Sequence, residues 1–200
     1  MKKIKIAVLS LIVILLNISA YGQSTPKKAL LVIDIQENLI NPNSKIHMDT
    51  TGLDNFFANL NHAITEFNNQ NSMVIYVVNE WTNPVKNMVT GNVCKKGGQG
   101  VGPDKRMILV NDCIYVKSKP NALSNSDLLN YLRENSISEV MVCGLLAEGC
   151  VKATVKGLIN EKFQVTVIEN VLGSKNETKK QKVLQYLQHN KIKTIQSEAL

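Results

Sequence analysis

Cys150 stands in the stretch GLLAEGCVKAT, residues 144–154, where an apolar run meets a helical pattern. Three fates are open to such a thiol: a small buried hydrophobe, half of a disulfide, or a nucleophile. Two other residues bear on the choice. Asp34 ends the apolar run Ala29-Leu30-Leu31-Val32-Ile33, and Lys117 ends Cys113-Ile114-Tyr115-Val116. The thiolate is the attacking form of cysteine, and a free thiol ionises only near about 8.5. Three features would favour ionisation here. A helix beginning near Glu148 offers unpaired N–H groups and a positive dipole end, Lys117 supplies a cation, and Asp34 can accept the thiol proton as a general base. Cysteine, carboxylate and ammonium are the parts of an acyl-transfer site that dispenses with histidine. Singly, each residue has a plainer reading: Cys150 as a core thiol, Asp34 as a strand-end cap, Lys117 as a solvated charge.

These residues need elements to hold them. The apolar run Ala29–Ile33 is continuous rather than alternating, which is the pattern of a strand buried on both faces of a parallel sheet. Leu53, Phe56, Phe57, Leu60, Ala63, Ile64 and Phe67 follow a 3-4 spacing and predict a helix. Met73–Val78, Cys113–Val116, Glu139–Cys143 and Gln164–Ile168 read as further strands, and Lys193–Ile195 as a short last one. Ser124-Asn125-Ser126-Asp127 has the S-x-x-D form of a helix start. Residues 148–160 and 177–189 complete the helices. Residues 80–107, with Asn83-Pro84, Gly91, Gly97-Gly98, Gly100 and Gly102-Pro103, read as one long loop. Loops of that length are functional or disordered. Alternating strands and helices predict right-handed crossovers and a three-layer α/β/α sandwich in a single domain, residues 23–200. In such sheets sites form beyond the carboxyl ends of the strands, where Asp34, Lys117 and the approach to Cys150 all fall.

The bulk composition of the 200 residues agrees, with 44% hydrophobic and 20% charged residues. Lys2, Lys3 and Lys5, the apolar run Ile6–Leu16, and small residues at Ala20 and Gly22 have the form of a secretory signal peptide over residues 1–22. Its apolar stretch is shorter than the roughly 20 residues of a spanning helix. Export to the periplasm or medium is expected, with no stable membrane insertion after processing. Removing those three lysines and no acids takes the formal charge from +7 to +4. The remaining lysines are scattered, with no Arg-rich stripe, so nucleic acid is not an expected partner. Cys94, Cys113, Cys143 and Cys150 match no metal-binding spacing. A Cys94–Cys113 disulfide is open.

Three segments together resemble the isochorismatase-like cysteine hydrolases, a family that includes nicotinamidases and related amidohydrolases. ALLVIDIQENL, residues 29–39, resembles the family's strand ending in D-x-Q. KSKPNALSNSDL, residues 117–128, resembles its lysine followed by a [ST]-[DE]-L helix start. GLLAEGCVKAT resembles its glycine, five residues, then C-V-x-x-T. The resemblance implies a mainly parallel sheet of five or six strands between helices. It also implies Cys150 as nucleophile, Asp34 as proton acceptor and Lys117 as third member of a triad. It further implies a cis peptide at Leu145–Leu146 and an oxyanion hole from the Leu146 and Cys150 N–H groups. Gln36, Trp81 and Asn121 are candidates for the substrate wall, with Glu80 beside Trp81.

The chain departs from the family at one point. Nicotinamidases of this family carry a metal site of one aspartate and two histidines after the second strand. Here that segment is Asn79-Glu80-Trp81-Thr82-Asn83-Pro84, and His47, His62 and His189 are far apart in sequence. Neither a metal nor another cofactor is expected. The expected activity is hydrolysis of a small-molecule amide or related C–N bond. Vinyl-ether hydrolysis of isochorismate and a non-enzymatic thiol or redox role are the alternatives. Gly91–Gly102 is open to two readings, a lid or a flexible surface. Family members are often dimers or tetramers, so a homo-oligomer is a further possibility.

Overall fold

The apolar runs pair side by side as one six-stranded sheet. The computed structural model describes residues 27–200; the leader expected over residues 1–22 lies outside the described residues. The strands are β1 (Lys27–Ile33), β2 (Met73–Asn79), β3 (Ile114–Lys117), β4 (Ile137–Gly144), β5 (Gln164–Leu172) and β6 (Lys193–Ile195). Their spatial order is β3-β2-β1-β4-β5-β6, and every pairing is parallel. The order reverses between β1 and β4, which is the switch point where doubly wound sheets open a crevice.

The helices are α1 (Glu37–Ile40), α2 (Leu53–Asn69), α3 (Pro84–Thr90), α4 (Ser126–Glu134), α5 (Lys152–Asn160) and α6 (Glu177–His189). Strand side chains alternate between two cores. Leu30, Val32, Val74, Tyr76 and Cys143 pack under Phe56, Leu60, Ile64 and Phe67 of α2. Leu31, Ile33, Ile75, Val77 and Val142 pack under Leu128 and Leu132 of α4, Val155 and Leu158 of α5, and Val183 and Leu187 of α6. Sheet and helices thus form three layers. Each fully buried aliphatic or aromatic side chain contributes about 1.5–3 kcal/mol of burial energy.

Those two faces settle the cysteines. Cys143 and Cys94 belong to the α2-side core, while Cys150 and Cys113 pack against the other. All four are free thiols. The Cys94–Cys113 pair is therefore not formed, and a Cys143–Cys150 bond would have to cross the sheet.

Two other expectations are corrected. The segment 80–107 is not one loop, because α3 lies within it. Asn83-Pro84, read as a breaker, starts that helix: Asn83 Oδ1 accepts from the Lys86 N–H at 2.9 Å and Pro84 occupies the first turn. Gly91, with φ 68°, ends it. The start of α4 is offset by one residue. Asn125 rather than Ser124 is the cap, accepting from the N–H groups of Asp127 (2.9 Å) and Leu128 (3.3 Å), while Ser124 closes a 3₁₀ turn.

Candidate active site

Asp34 follows β1 directly and is fully buried. Its backbone sits in the left-handed region, with φ 55°, a conformation uncommon for a residue with a side chain but enriched in Asp and Asn. The turn is held by the Asp34 N–H donating to the Val77 carbonyl at 2.8 Å. Lys117 ends β3, at the sheet edge, with β2 between it and β1. Strands lie about 4.8 Å apart, so the two strand ends are separated by about 10 Å. Only a long side chain spans that gap. The Lys117 stem crosses the end of β2 and places Nζ 2.7 Å from Asp34 Oδ2.

Cys150 arrives from the other side of β1. β4 ends at Gly144, whose φ is 123° and whose Hα faces the Ile33 carbonyl so closely that a Cβ there would collide with it. Any other residue would force β4 and β1 apart at the switch point. A π-helical turn, Ala147–Val151, follows and leads into α5. Its wider winding shows in the Val151 N–H, which donates to the Leu146 carbonyl five residues back at 3.3 Å. Glu148 fastens the turn, accepting from Ser174 Oγ at 2.7 Å and the Lys175 N–H at 3.2 Å. Sγ of Cys150 lies 3.2 Å from Lys117 Nζ. The structure therefore brings Asp34, Lys117 and Cys150 into mutual contact around one ammonium.

The cis peptide expected at Leu145–Leu146 is absent, as are cis bonds elsewhere among the described residues. The chain reverses by other means: the positive φ of Gly144 and the π turn. The trans peptide is pinned on both sides, by the Leu145 N–H on the Ile33 carbonyl and the Ala147 N–H on the Gly173 carbonyl, both at 2.8 Å. The Leu146 N–H has no acceptor among the described residues, and the Cys150 N–H has none outside its own turn.

Electrostatics correct a second expectation. Burial, and then the Asp34 charge, push the Cys150 thiol up to about 12, with Lys117 pulling the other way. The helix terminus and the lysine do not make a resting thiolate. Burial also raises the Asp34 carboxyl against the pull of Lys117. Burial works against the Lys117 ammonium, but Asp34 and Cys150 together outweigh it and its pKa is raised. One ammonium thus faces both the Asp34 carboxylate and the Cys150 sulfur, and the ionisation of each of those two groups raises the pKa of the other. Asp34 Oδ1 is buried without a partner and is free to accept the thiol proton.

The substrate-wall candidates fall in different places. Gln36 is fully buried, and its amide is committed to backbone. Oε1 accepts from the Asn79 N–H at 2.8 Å, and Nε2 donates to the carbonyls of Asn79 and Val101. It is a bracket between β1, β2 and the glycine-rich segment, not a substrate contact. Replacing Gln36 by Leu strands buried backbone groups at about 1–3 kcal/mol each. A matching fall in unfolding free energy, measured by urea denaturation, is the expected result. Asn121 is a cap: its Oδ1 accepts from the Leu123 N–H at 3.0 Å, and its amide fills the space that a side chain on Gly157 would need. Trp81 is buried with no acceptor for Nε1, and Lys86 Nζ lies 3.7 Å from its ring centroid. Glu80 is partly exposed, and its N–H donates to the Lys117 carbonyl at 2.8 Å. The Gly91–Gly102 segment is stitched down rather than loose. Asn38 bonds the Gly100, Gln99 and Val93 carbonyls, and Trp81 bonds Cys94 and Lys96 through backbone.

Two site residues went unnoticed in the sequence. Asn79, buried at the end of β2, points Nδ2 at Cys150 Sγ across 4.0 Å, with its Oδ1 unpartnered. Its signal was available, since it follows an apolar run as Asp34 and Lys117 do. Lys86 carries no signal in the sequence, because the Asn83-Pro84 pair and Gly91 that bound its helix have the form of loop residues. Among the described residues, no group of three or more His, Cys, Asp or Glu side chains could hold a metal ion.

The isochorismatase domain model matches residues 28–199. The chain belongs to the isochorismatase family. A curated relative, the uncharacterized isochorismatase family protein YddQ of Bacillus subtilis (strain 168), is 29% identical over 146 residues, covering 71% of this chain and 75% of the relative. The isochorismatase family protein of Desulfovibrio vulgaris superposes with TM-score 0.78 at 15% identity, over 88% of this chain and 96% of its own. The N-carbamoylsarcosine amidase of Thermoplasma acidophilum gives 0.72 at 20% identity, over 86% and 96%. At these identities the structural likeness is one of fold, and that fold is this family's sheet between helices.

Proposed function

We propose that this isochorismatase-like hydrolase cleaves a small-molecule amide or related C–N bond through an acyl-enzyme on Cys150. The observation that carries the reading is the Lys117 ammonium within 2.7 Å of Asp34 and 3.2 Å of Cys150 Sγ. The amidase among the structural neighbours supports the bond type.

Sγ attacks the carbonyl carbon as the thiol proton passes to Asp34, so the high pKa of the resting thiol is no obstacle. Lys117 stays protonated throughout and stabilises whichever group carries the negative charge. The oxyanion is received by the Leu146 and Cys150 N–H groups, a contribution of about 3–4 kcal/mol per donor. Collapse breaks the C–N bond, and Asp34 returns the proton to the leaving nitrogen. Water then attacks the thioester, giving its proton to Asp34. The acid leaves, and the sulfur is reprotonated.

The test is ammonia release from a panel of small amides and ureas. Release by the wild-type protein supports the reading, whereas pyruvate from isochorismate with no ammonia from any amide sinks it. Export of the chain after cleavage at Gly22 is a separate proposal, read from the N-terminal sequence. An exported protein whose mass begins at Met1 would contradict it.

A further inference from the structure

Lys117 is matched by Asp34, but a second cation at the site has no such match. Lys86 projects from α3 over the Trp81 ring, with Nζ 3.7 Å from the centroid. The same Nζ is 3.5 Å from the carbonyl of Ser118, the residue after Lys117. Two anchors fix it there. Asn83 caps its helix, and Asn87, on the same turn, donates to the Trp81 carbonyl at 3.1 Å. Among the described residues, Lys86 forms no ion pair with a carboxylate. The ionisable groups that act on it are Cys94, Cys150 and Lys117, and burial lowers its pKa before any of them. The indole N–H of the ring beneath it is also buried without an acceptor.

A partly desolvated ammonium without a carboxylate partner, held at the residue after Lys117, adds positive charge next to a neutral ion-paired site. We propose that Lys86 is a specificity-determining residue that favours substrates carrying a carboxylate or similar anionic group near the scissile bond. This rests on Cys150 being the reacting group and deepens the hydrolase reading by naming a substrate class. A cation stacked on an aromatic ring keeps its outer hydrogens available to an acceptor. The attraction acts over a few ångströms in a medium less polar than water, which is worth several-fold in encounter and binding.

Two alkylating probes isolate the effect without a known substrate. Iodoacetate and iodoacetamide form the same C–S bond on a thiolate, expel the same iodide, and differ by one negative charge. The ratio of their rates at one thiol cancels the fraction ionised. Cys113, the other partly exposed thiol, is the internal reference. Rates are read by peptide mass mapping in the folded protein. The iodoacetate-to-iodoacetamide ratio at Cys150 is expected to be about three- to tenfold higher in the wild-type protein than in Lys86→Met. Lys86→Arg should preserve the Cys150 ratio, and the Cys113 ratio should be the same in all three proteins. The excess should also shrink in 1 M salt, where screening acts within about 3 Å. A ratio unchanged in Lys86→Met, or both reagents slowed in equal proportion, overturns the proposal and leaves Lys86 as packing for Trp81. The labelling ratio stands apart from ammonia release, so failure of one is distinguishable from failure of the other.

Discussion

Cys150→Ala is expected to keep its fold and to lose turnover by about 10⁶-fold, the scale seen when the nucleophile of a preorganised hydrolase triad is removed. The stability side follows from position. Cys150 is only partly buried, at a π turn held by Glu148, Ser174 and Lys175 rather than by the sulfur. Its removal leaves the Asp34–Lys117 pair at 2.7 Å untouched. Circular dichroism and urea midpoints near wild type, with amide turnover at background, are the expected pair of readings. Full activity in the variant would end the acyl-enzyme mechanism.

Asp34→Asn and Lys117→Met should move the Cys150 thiol in opposite directions. The Asp34 charge is a cause of the raised thiol pKa and Lys117 opposes it. Removing the carboxylate leaves the ammonium facing sulfur alone at 3.2 Å. The thiolate then becomes the only nearby anion, so the pKa falls from about 12 and alkylation begins at lower pH. Removing the ammonium leaves burial and the carboxylate acting together, and alkylation retreats to higher pH. Activity does not follow nucleophile ionisation, because the general base is gone in Asp34→Asn. A loss of about 10²–10⁴-fold in kcat/KM is expected despite the more reactive thiol. Stability should also separate the variants. Breaking a buried pair by removing one partner costs about 3–5 kcal/mol. In Asp34→Asn the thiolate can replace the missing anion, so part of that loss is regained above the new thiol pKa. In Lys117→Met it is not. The pH profile of iodoacetamide labelling, with urea unfolding at matched pH, checks both signs. Profiles shifting the same way in the two variants would refute the opposed action of Asp34 and Lys117 on the sulfur.

The corrections share a cause. Gln36 belongs to a motif next to Asp34 and looked like a wall residue, yet its amide is spent on Asn79 and Val101. Nothing local says that a segment 65 residues away will lie against it. Asn83-Pro84 was read as an interruption because the same pair that ends one element begins another. The cis step was inferred from likeness, whereas the chain turns at Gly144 and the π turn.

By itself the sequence determined the strands, the main helices and the three residues that meet. The central strands β1 and β2 are short apolar runs closed by Asp34 and Asn79, and burial on both faces of a parallel sheet writes that pattern directly into composition. Only the tertiary structure decided which strands are neighbours. That order puts β2 between Lys117 and Asp34, so that a lysine is needed to span the gap and Asn79 comes to lie beside the sulfur. It also decided the charge state of Cys150. A thiol's ionisation depends on how much water surrounds it and which charges lie within a few ångströms, and both are properties of packing between segments distant in the chain.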